Sequence, residues 1–287
     1  MKVEVVPTGK PVGAEILGVD PNSLLEPEVI KTVVAALDEY GVIFVRNQFT
    51  EHAMQVEFSR RLGPLRKPRM NADALVPGFP DLTCLSNIYE NGKPIGVVEA
   101  GQFWHTDRCF VREPNAYAVL VAEEIPVDNG VVLGGTMFAS AAHAYATLAP
   151  SLQEQLLSLK ASHNFLNPFR KQALSAELAK VLWEEQGDPD VVHPVVRTHP
   201  RTSRKCLYVN ETYTVGIEGM EQAEGRRLID SLCRHVSRPE VVFTHTWQPG
   251  DLLVWDDCAV QHHAIADYAL PLRRKLRRTG VSGTVPV

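Results

Sequence analysis

The chain has 287 residues, 45% of them hydrophobic and 22% charged, which is globular composition with length enough for one large domain or two small ones. A formal net charge of −5 and a pI near 6.1 exclude a global basic field for nucleic acid. The opening MKVEVVPTGK has no apolar signal core and no segment approaches a membrane span, so a cytoplasmic protein without a membrane partner is expected.

No repeat, low-complexity tract or Gly/Ser linker divides the chain, and a single domain over 1–287 is expected. EPEVIKTVVAALDEY places Val29, Ile30, Val33, Val34 and Leu37 at helical spacing. GVIFVRNQ follows as a short apolar run and reads as a buried strand. Thr50 is placed to cap a second helix through EHAMQVEFSRRLG, with Gly63 and Pro64 ending it. From 66 to 103 Pro, Gly and Asn interrupt any period, the pattern of a long functional loop or lid.

AYAVLVAEEIP reads as strand. FASAAHAYATLAPSLQEQLLSL reads as two short helices parted at Pro150, and SAELAKVLWEEQG as a further helix. Then come HPVVRTHP, KCLYVNET, EVVFTHTWQPG, DLLVWDD and AVQHHAIADY as short strands, with the helix EQAEGRRLIDSLCRHV among them. Helices that flank the strands without alternating with them argue against a doubly wound parallel sheet. They point to a mainly β protein with a jelly-roll core and flanking helices. The five cysteines, Cys84, Cys109, Cys206, Cys233 and Cys258, are scattered and never in CxxC spacing, which fits free thiols in a reducing compartment.

GQFWHTDRCF carries a histidine and an aspartate two residues apart. On a strand, positions i and i+2 share a face, so His105 and Asp107 would reach out together. The pair needs a third donor, and the late stretch QHHA offers His262 or His263; adjacent strand residues face opposite ways, so only one should join. Two imidazoles and a carboxylate on one side of an ion leave the other side open, which suits iron(II) in oxygenases. Arg274 and Arg278 would share one strand face, with Arg273, Lys275 and Arg277 on the other. One face could look into a barrel and the other into solvent. A buried guanidinium needs an anion, and Asp267 is the only evident acidic residue nearby, so an inward Arg274 would await a ligand carboxylate. Trp104 and Trp255 are candidates for a dry wall around the metal or for ordinary core aromatics. The remaining histidines read as structural.

WHTD, then GGTMF at 134–138, then WDD, QHHA, DY and the paired arginines resemble the taurine and alkanoate dioxygenase family of iron(II), 2-oxoglutarate-dependent enzymes. VEVVPTGKPVGAEILGVD, SNIYENGKPIG, LYVNETYT and RRTGVSG extend the likeness over nearly the whole chain. The resemblance implies a double-stranded β-helix, with His105, Asp107 and His262 as iron ligands, His262 being the histidine of the family's Gln-His-x-Ala. It implies that Thr136 and Arg274 hold the distal carboxylate of 2-oxoglutarate, with Arg278 as a second arginine near the co-substrate and the substrate's anionic group. It implies a dioxygenase that uses Fe(II), 2-oxoglutarate and O2 to oxidise an unactivated C–H bond by hydroxylation, with desaturation and epoxidation as branches. Homo-oligomers, dimers or tetramers, are common in such families.

The chain departs from the family where Asn-Arg usually follows Trp-Asp; Asp257 and Cys258 stand there. It also lacks the taurine-binding histidine near Lys67 and the asparagine near Gly101, which argues against taurine. Arg108, directly after Asp107, is a candidate for a substrate anion, the alternative being an ion pair with Glu113. Asn87, Phe103 and Tyr213 are further pocket candidates by family position. Several arginines around one pocket favour a small anionic substrate, such as a carboxylated natural-product intermediate. A zinc-dependent hydrolase is the first rival, but HExxH is absent and Arg274 would have no purpose. A non-catalytic jelly-roll binding protein is the second.

Overall fold

The computed structural model describes residues 3–68, 74–98, 101–167 and 191–287. Its frame is a large sheet with strand order Glu4–Pro7, Ala14–Leu17, Val42–Val45, Leu252–Asp256, Asn115–Glu124, Lys275–Ser282, Phe79–Ser86 and Leu75–Val76, with Leu65–Arg66 paired to Lys275–Ser282. A three-stranded sheet, Phe243–His245, Thr136–Ser140 and Val260–Ala264, lies against it. This is the expected mainly β jelly roll.

The central strands of the large sheet are apolar throughout because both faces are covered. Ile43, Val45, Val119, Val121, Leu252 and Val254 pack against Val29, Val33, Leu37 and Phe58 of the helices Pro27–Tyr40 and His52–Leu62. The alternate residues Val42, Phe44, Ala118, Leu120, Leu253 and Trp255 face inward, onto Phe138 and Val260 of the smaller sheet. The two-residue period thus splits each strand between an outer helical core and an inner core. The site lies where the inner core gives way to polar residues. A third core joins the helix Gln222–Val236 to Ala144, Leu148 and Leu156 and to the strands around Ala161 and Leu207.

Four expectations change. Residues 66–103 are not one loop: Phe79–Ser86 is an eight-residue strand paired with Lys275–Ser282. Pro80 and the polar alternation of FPDLTCLS hide it from a hydrophobicity pattern, while Leu82 and Cys84 are buried. Thr50 does not cap the second helix; Glu51 holds the N-cap position without a side-chain bond, and the Thr50 carbonyl accepts from Arg277 Nη2 at 2.6 Å. Phe138 and Ala139 end a strand, with Ser140 capping the helix Ala141–Ala146 that follows. Arg277 is not solvated: it is 4% exposed and pairs with Glu123 at 2.9 Å. The helix read in SAELAKVLWEEQG lies outside the described residues. Among the described residues no helix is long and apolar enough to cross a membrane, and all five cysteines are free and buried.

Candidate active site

His105, Asp107 and His262 converge. His105 Nε2 lies 3.5 Å and His262 Nε2 3.8 Å from the same Asp107 Oδ1, and the three donor atoms lie within 4.8 Å of one another. Metal–nitrogen bonds of about 2.1 Å put neighbouring donors roughly 3 Å apart, so small side-chain rotations would close this set on one ion. The donor types, two imidazoles and a carboxylate gathered on one side, fit iron(II).

The HxD pair does not sit on a strand, as the spacing suggested. His105 makes a single antiparallel bridge to His262, through backbone bonds of 3.1 and 2.9 Å, and Asp107 opens a turn. Arg108 adopts a left-handed conformation (φ 56°), which turns the chain directly after Asp107. Thr106 Oγ1 donates to the Val260 carbonyl at 3.4 Å, and Thr212 Oγ1 to the Trp104 carbonyl at 2.9 Å, so side chains from distant segments hold this loop. The same bridge chooses between the adjacent histidines. His262 pairs with Phe138 and faces His105 at 4.1 Å between ring centroids, whereas His263 packs on Trp104 at 5.7 Å.

The protonation states of these three candidate donors follow from their neighbours. His105 Nδ1 lies 2.8 Å from the Phe103 carbonyl and so carries the proton, which leaves Nε2 its lone pair. Burial, reinforced by the nearby His105, holds His262 well below the usual histidine range and keeps it neutral. Burial alone would raise Asp107, but the Arg278 guanidinium on Oδ2 and the His105 bond override it and hold the carboxylate well below its ordinary range. Asp257 goes the other way. Burial, with Asp107 beside it, pushes its carboxyl well above the usual range. Its Oδ1 accepts from Trp255 Nε1 at 2.9 Å and from the Asp107 amide at 3.3 Å, so this oxygen does what an asparagine carbonyl would do there. Trp255 in turn packs 4.5 Å from the His262 ring and forms the inner wall; Trp104 packs on His263 instead.

Arg274 is 7% exposed and precedes the strand Lys275–Ser282. Its Nε donates to the Gly134 carbonyl at 3.1 Å, and the Tyr268 ring lies 5.8 Å from its guanidinium carbon. Asp267 does not pair with it; that carboxylate accepts from the Gly134 amide at 2.7 Å. Among the described residues Arg274 therefore has no carboxylate partner. Gly134 is needed here: it has φ +68°, and a Cβ would lie 2.9 Å from Arg274 Cδ and Nε and from Tyr268 Cε1. Thr136, two residues on, is buried and receives Trp247 Nε1–H at 3.0 Å.

Among the other candidates, Tyr213 lies edge-on to His105 at 5.9 Å between centroids, and Phe103 supplies the carbonyl that orients His105. Asn87 is committed elsewhere. Its Oδ1 accepts from the Arg274 amide at 2.9 Å and its Nδ2 donates to the Leu272 carbonyl at 2.9 Å, so it anchors the arginine backbone. Arg108 is half-buried and has an interaction partner, but among the described residues it forms no ion pair with Glu113. Gly101 sits against the His105 ring, since a Cβ there would lie 3.1 Å from His105 Cε1.

Sequence reasoning missed a second buried cluster, His199, Asp256 and Cys258. His199 and Asp256 are 57 residues apart, so no local spacing announces them. The cluster does not suit a metal. His199 Nδ1 accepts the amides of Arg201 and Thr202 at 3.2 and 3.0 Å, so its proton sits on Nε2, bonded to Asp256 at 2.7 Å. No imidazole lone pair is left to ligate.

Comparison with known proteins agrees with this geometry. Residues 4–279 match the family model "Taurine catabolism dioxygenase TauD, TfdA family". The chain is 30% identical to pentalenolactone F synthase of Streptomyces arenae, over 98% of this chain and 95% of that one. It is also 30% identical to the alpha-ketoglutarate-dependent 2,4-dichlorophenoxyacetate dioxygenase of Cupriavidus pinatubonensis, over 97% of each. The crystal structure of AAD-2 in complex with Mn(II) and N-oxalylglycine superposes with a TM-score of 0.79 at 25% identity, covering 100% of this chain and 99% of that one. Neither a zinc hydrolase nor a non-catalytic binding protein is consistent with these relatives. The chain belongs to the TauD/TfdA family and is a 2-oxoglutarate-dependent non-haem iron dioxygenase.

Proposed function

We propose that the protein oxidises an unactivated C–H bond of a small anionic molecule, with His105, Asp107 and His262 holding the iron. Bound there, iron(II) supplies the open coordination positions that a keto acid and dioxygen need. Arg274 and Thr136 bind the distal carboxylate of 2-oxoglutarate. The observation that carries this reading is the buried Arg274 guanidinium without a carboxylate partner, on the same inner face as a three-donor cluster. An unpaired cation is costly to bury, and a dicarboxylate bound beside it removes that cost.

Arg278 balances the Asp107 charge and keeps further N–H donors. With Arg108, it supports an anionic substrate. The 2,4-dichlorophenoxyacetate named for one relative is a molecule of that class. Hydroxylation is the primary outcome, with desaturation or epoxidation as alternatives for a substrate held at a different angle. Exposed Lys67 and half-buried Gly101, in place of a histidine and an asparagine, argue against taurine.

The test is anaerobic addition of 2-oxoglutarate to the Fe(II)-loaded protein, followed by succinate release across a panel of sulfonates, aryloxyalkanoates and carboxylated terpenoids. A weak visible charge-transfer band and substrate-dependent succinate are expected. Absence of the band refutes the ligand assignment. Succinate release stimulated only by neutral molecules refutes the anionic substrate, and Arg108→Ala with an unchanged KM refutes that residue's role.

A further inference from the structure

The buried indole of Trp247 makes no hydrogen bond or ring contact with His105, Asp107, His262 or Arg274, yet it bonds to Thr136 of the proposed co-substrate pocket. Its Nε1 lies 3.0 Å from Thr136 Oγ1, and Trp247 is 0% exposed. An indole N–H can only donate. The threonine oxygen is therefore the acceptor in this bond, and its own proton must point elsewhere. No hydrogen bond among the described residues uses that proton, although Thr136 is buried. Two residues earlier, the Gly134 carbonyl holds Arg274 Nε at 3.1 Å. Trp247 is itself braced. The His245 ring meets it edge-on at 4.6 Å between centroids, His245 Nε2 bonds Asp251 Oδ2 at 3.0 Å, and Arg46 pairs with that same carboxylate.

We infer that Trp247 is a positioning residue for the co-substrate: by occupying a lone pair of Thr136, it presents the threonine hydroxyl as a donor to the anion that Arg274 binds. This rests on the reading that Thr136 and Arg274 bind the distal carboxylate. A freely rotating hydroxyl presents a donor or an acceptor with comparable ease, and only the donor suits a carboxylate. The indole occupies one of the two lone pairs and so narrows that choice before the ligand arrives, which lowers the entropy the ligand must supply to order the hydroxyl. The link runs from the exposed edge of Arg46 through Asp251, His245 and Trp247 to the ligand pocket.

The test is titration calorimetry of the Mn(II)-loaded protein with N-oxalylglycine, which has a distal carboxylate, and with oxalate, which chelates metal without one. Trp247→Phe removes the N–H. Because that change also alters a core side chain, a second variant carries 3-benzothienylalanine at position 247, which exchanges N–H for sulfur in the same shape. Both variants are expected to bind N-oxalylglycine about three- to tenfold more weakly and oxalate unchanged. In a Thr136→Val background, both changes are expected to shift N-oxalylglycine affinity by less than about twofold, because the group they orient is gone. An equal loss in the presence and absence of the Thr136 hydroxyl, a loss that extends to oxalate, or no loss with the isosteric side chain overturns the inference. Failure of the unaltered Mn(II) protein to bind N-oxalylglycine overturns the proposed function itself, and the inference with it.

Discussion

Replacing Arg274 by methionine separates two effects that an ordinary core mutation would join. The guanidinium is buried, bonded through Nε to one carbonyl, and without an anion among the described residues. Burial lowers its pKa against the opposing influence of Tyr268 and Asp267, though an arginine stays protonated. Methionine of similar length would relieve that penalty at the loss of one neutral-acceptor hydrogen bond. Stability of the ligand-free protein should stay level or rise by about 1 kcal/mol. Ligand binding should move the opposite way. Loss of a forked, charge-assisted contact to a carboxylate costs about 3 kcal/mol, roughly a hundredfold in affinity. Arg274→Lys, which keeps charge without the fork, should fall between. Urea unfolding of the metal-free variants and calorimetry of 2-oxoglutarate on their Mn(II) forms measure the two quantities. A variant that loses 2 kcal/mol or more of stability while binding 2-oxoglutarate normally would show that Arg274 is a structural cation, and the co-substrate assignment would fail.

The other predictions concern its surroundings. Gly134→Ala places a Cβ 2.9 Å from Arg274 Nε at a positive φ, so it should cost roughly 1–2 kcal/mol of stability and also weaken 2-oxoglutarate binding, read by the same two assays; Gly134→Ala with unchanged affinity would remove the glycine's role in the pocket. Asp257 has a raised folded pKa, first through burial and then through Asp107. Its contribution to stability is full below the ordinary aspartate pKa and is lost as pH rises through the folded value. Asp257→Asn keeps the acceptor for Trp255 and the Asp107 amide but does not titrate. The metal-free variant should therefore gain on wild type as pH rises above about 4 in a urea series, and parallel curves would refute the protonated carboxyl. His199 has no lone pair free, so the protein should bind one metal per chain and His199→Asn should leave that stoichiometry unchanged; two ions per chain by elemental analysis would contradict the tautomer.

The sequence by itself carried the donor types, their order and the class of fold. His105, Asp107 and a histidine of QHHA are legible because metal chemistry restricts which side chains can serve, and the strands of the inner core are legible because a two-residue period is a local property. Tertiary structure decided the rest. The strand Phe79–Ser86 takes its identity from pairing with Lys275–Ser282, almost two hundred residues away, and its own pattern is too polar to announce it. Spacing alone leaves His262 and His263 open, and the resemblance prefers His262; the bridge to His105 is what places it at the cluster, and Asp107 reaches the cluster from a turn that no alternation rule describes. Asn87 on the Arg274 backbone, Trp247 on Thr136 and His199 on Asp256 are contacts between remote segments. Residue type limits what a side chain can donate or accept, but only packing determines which partner stands within 3 Å of it.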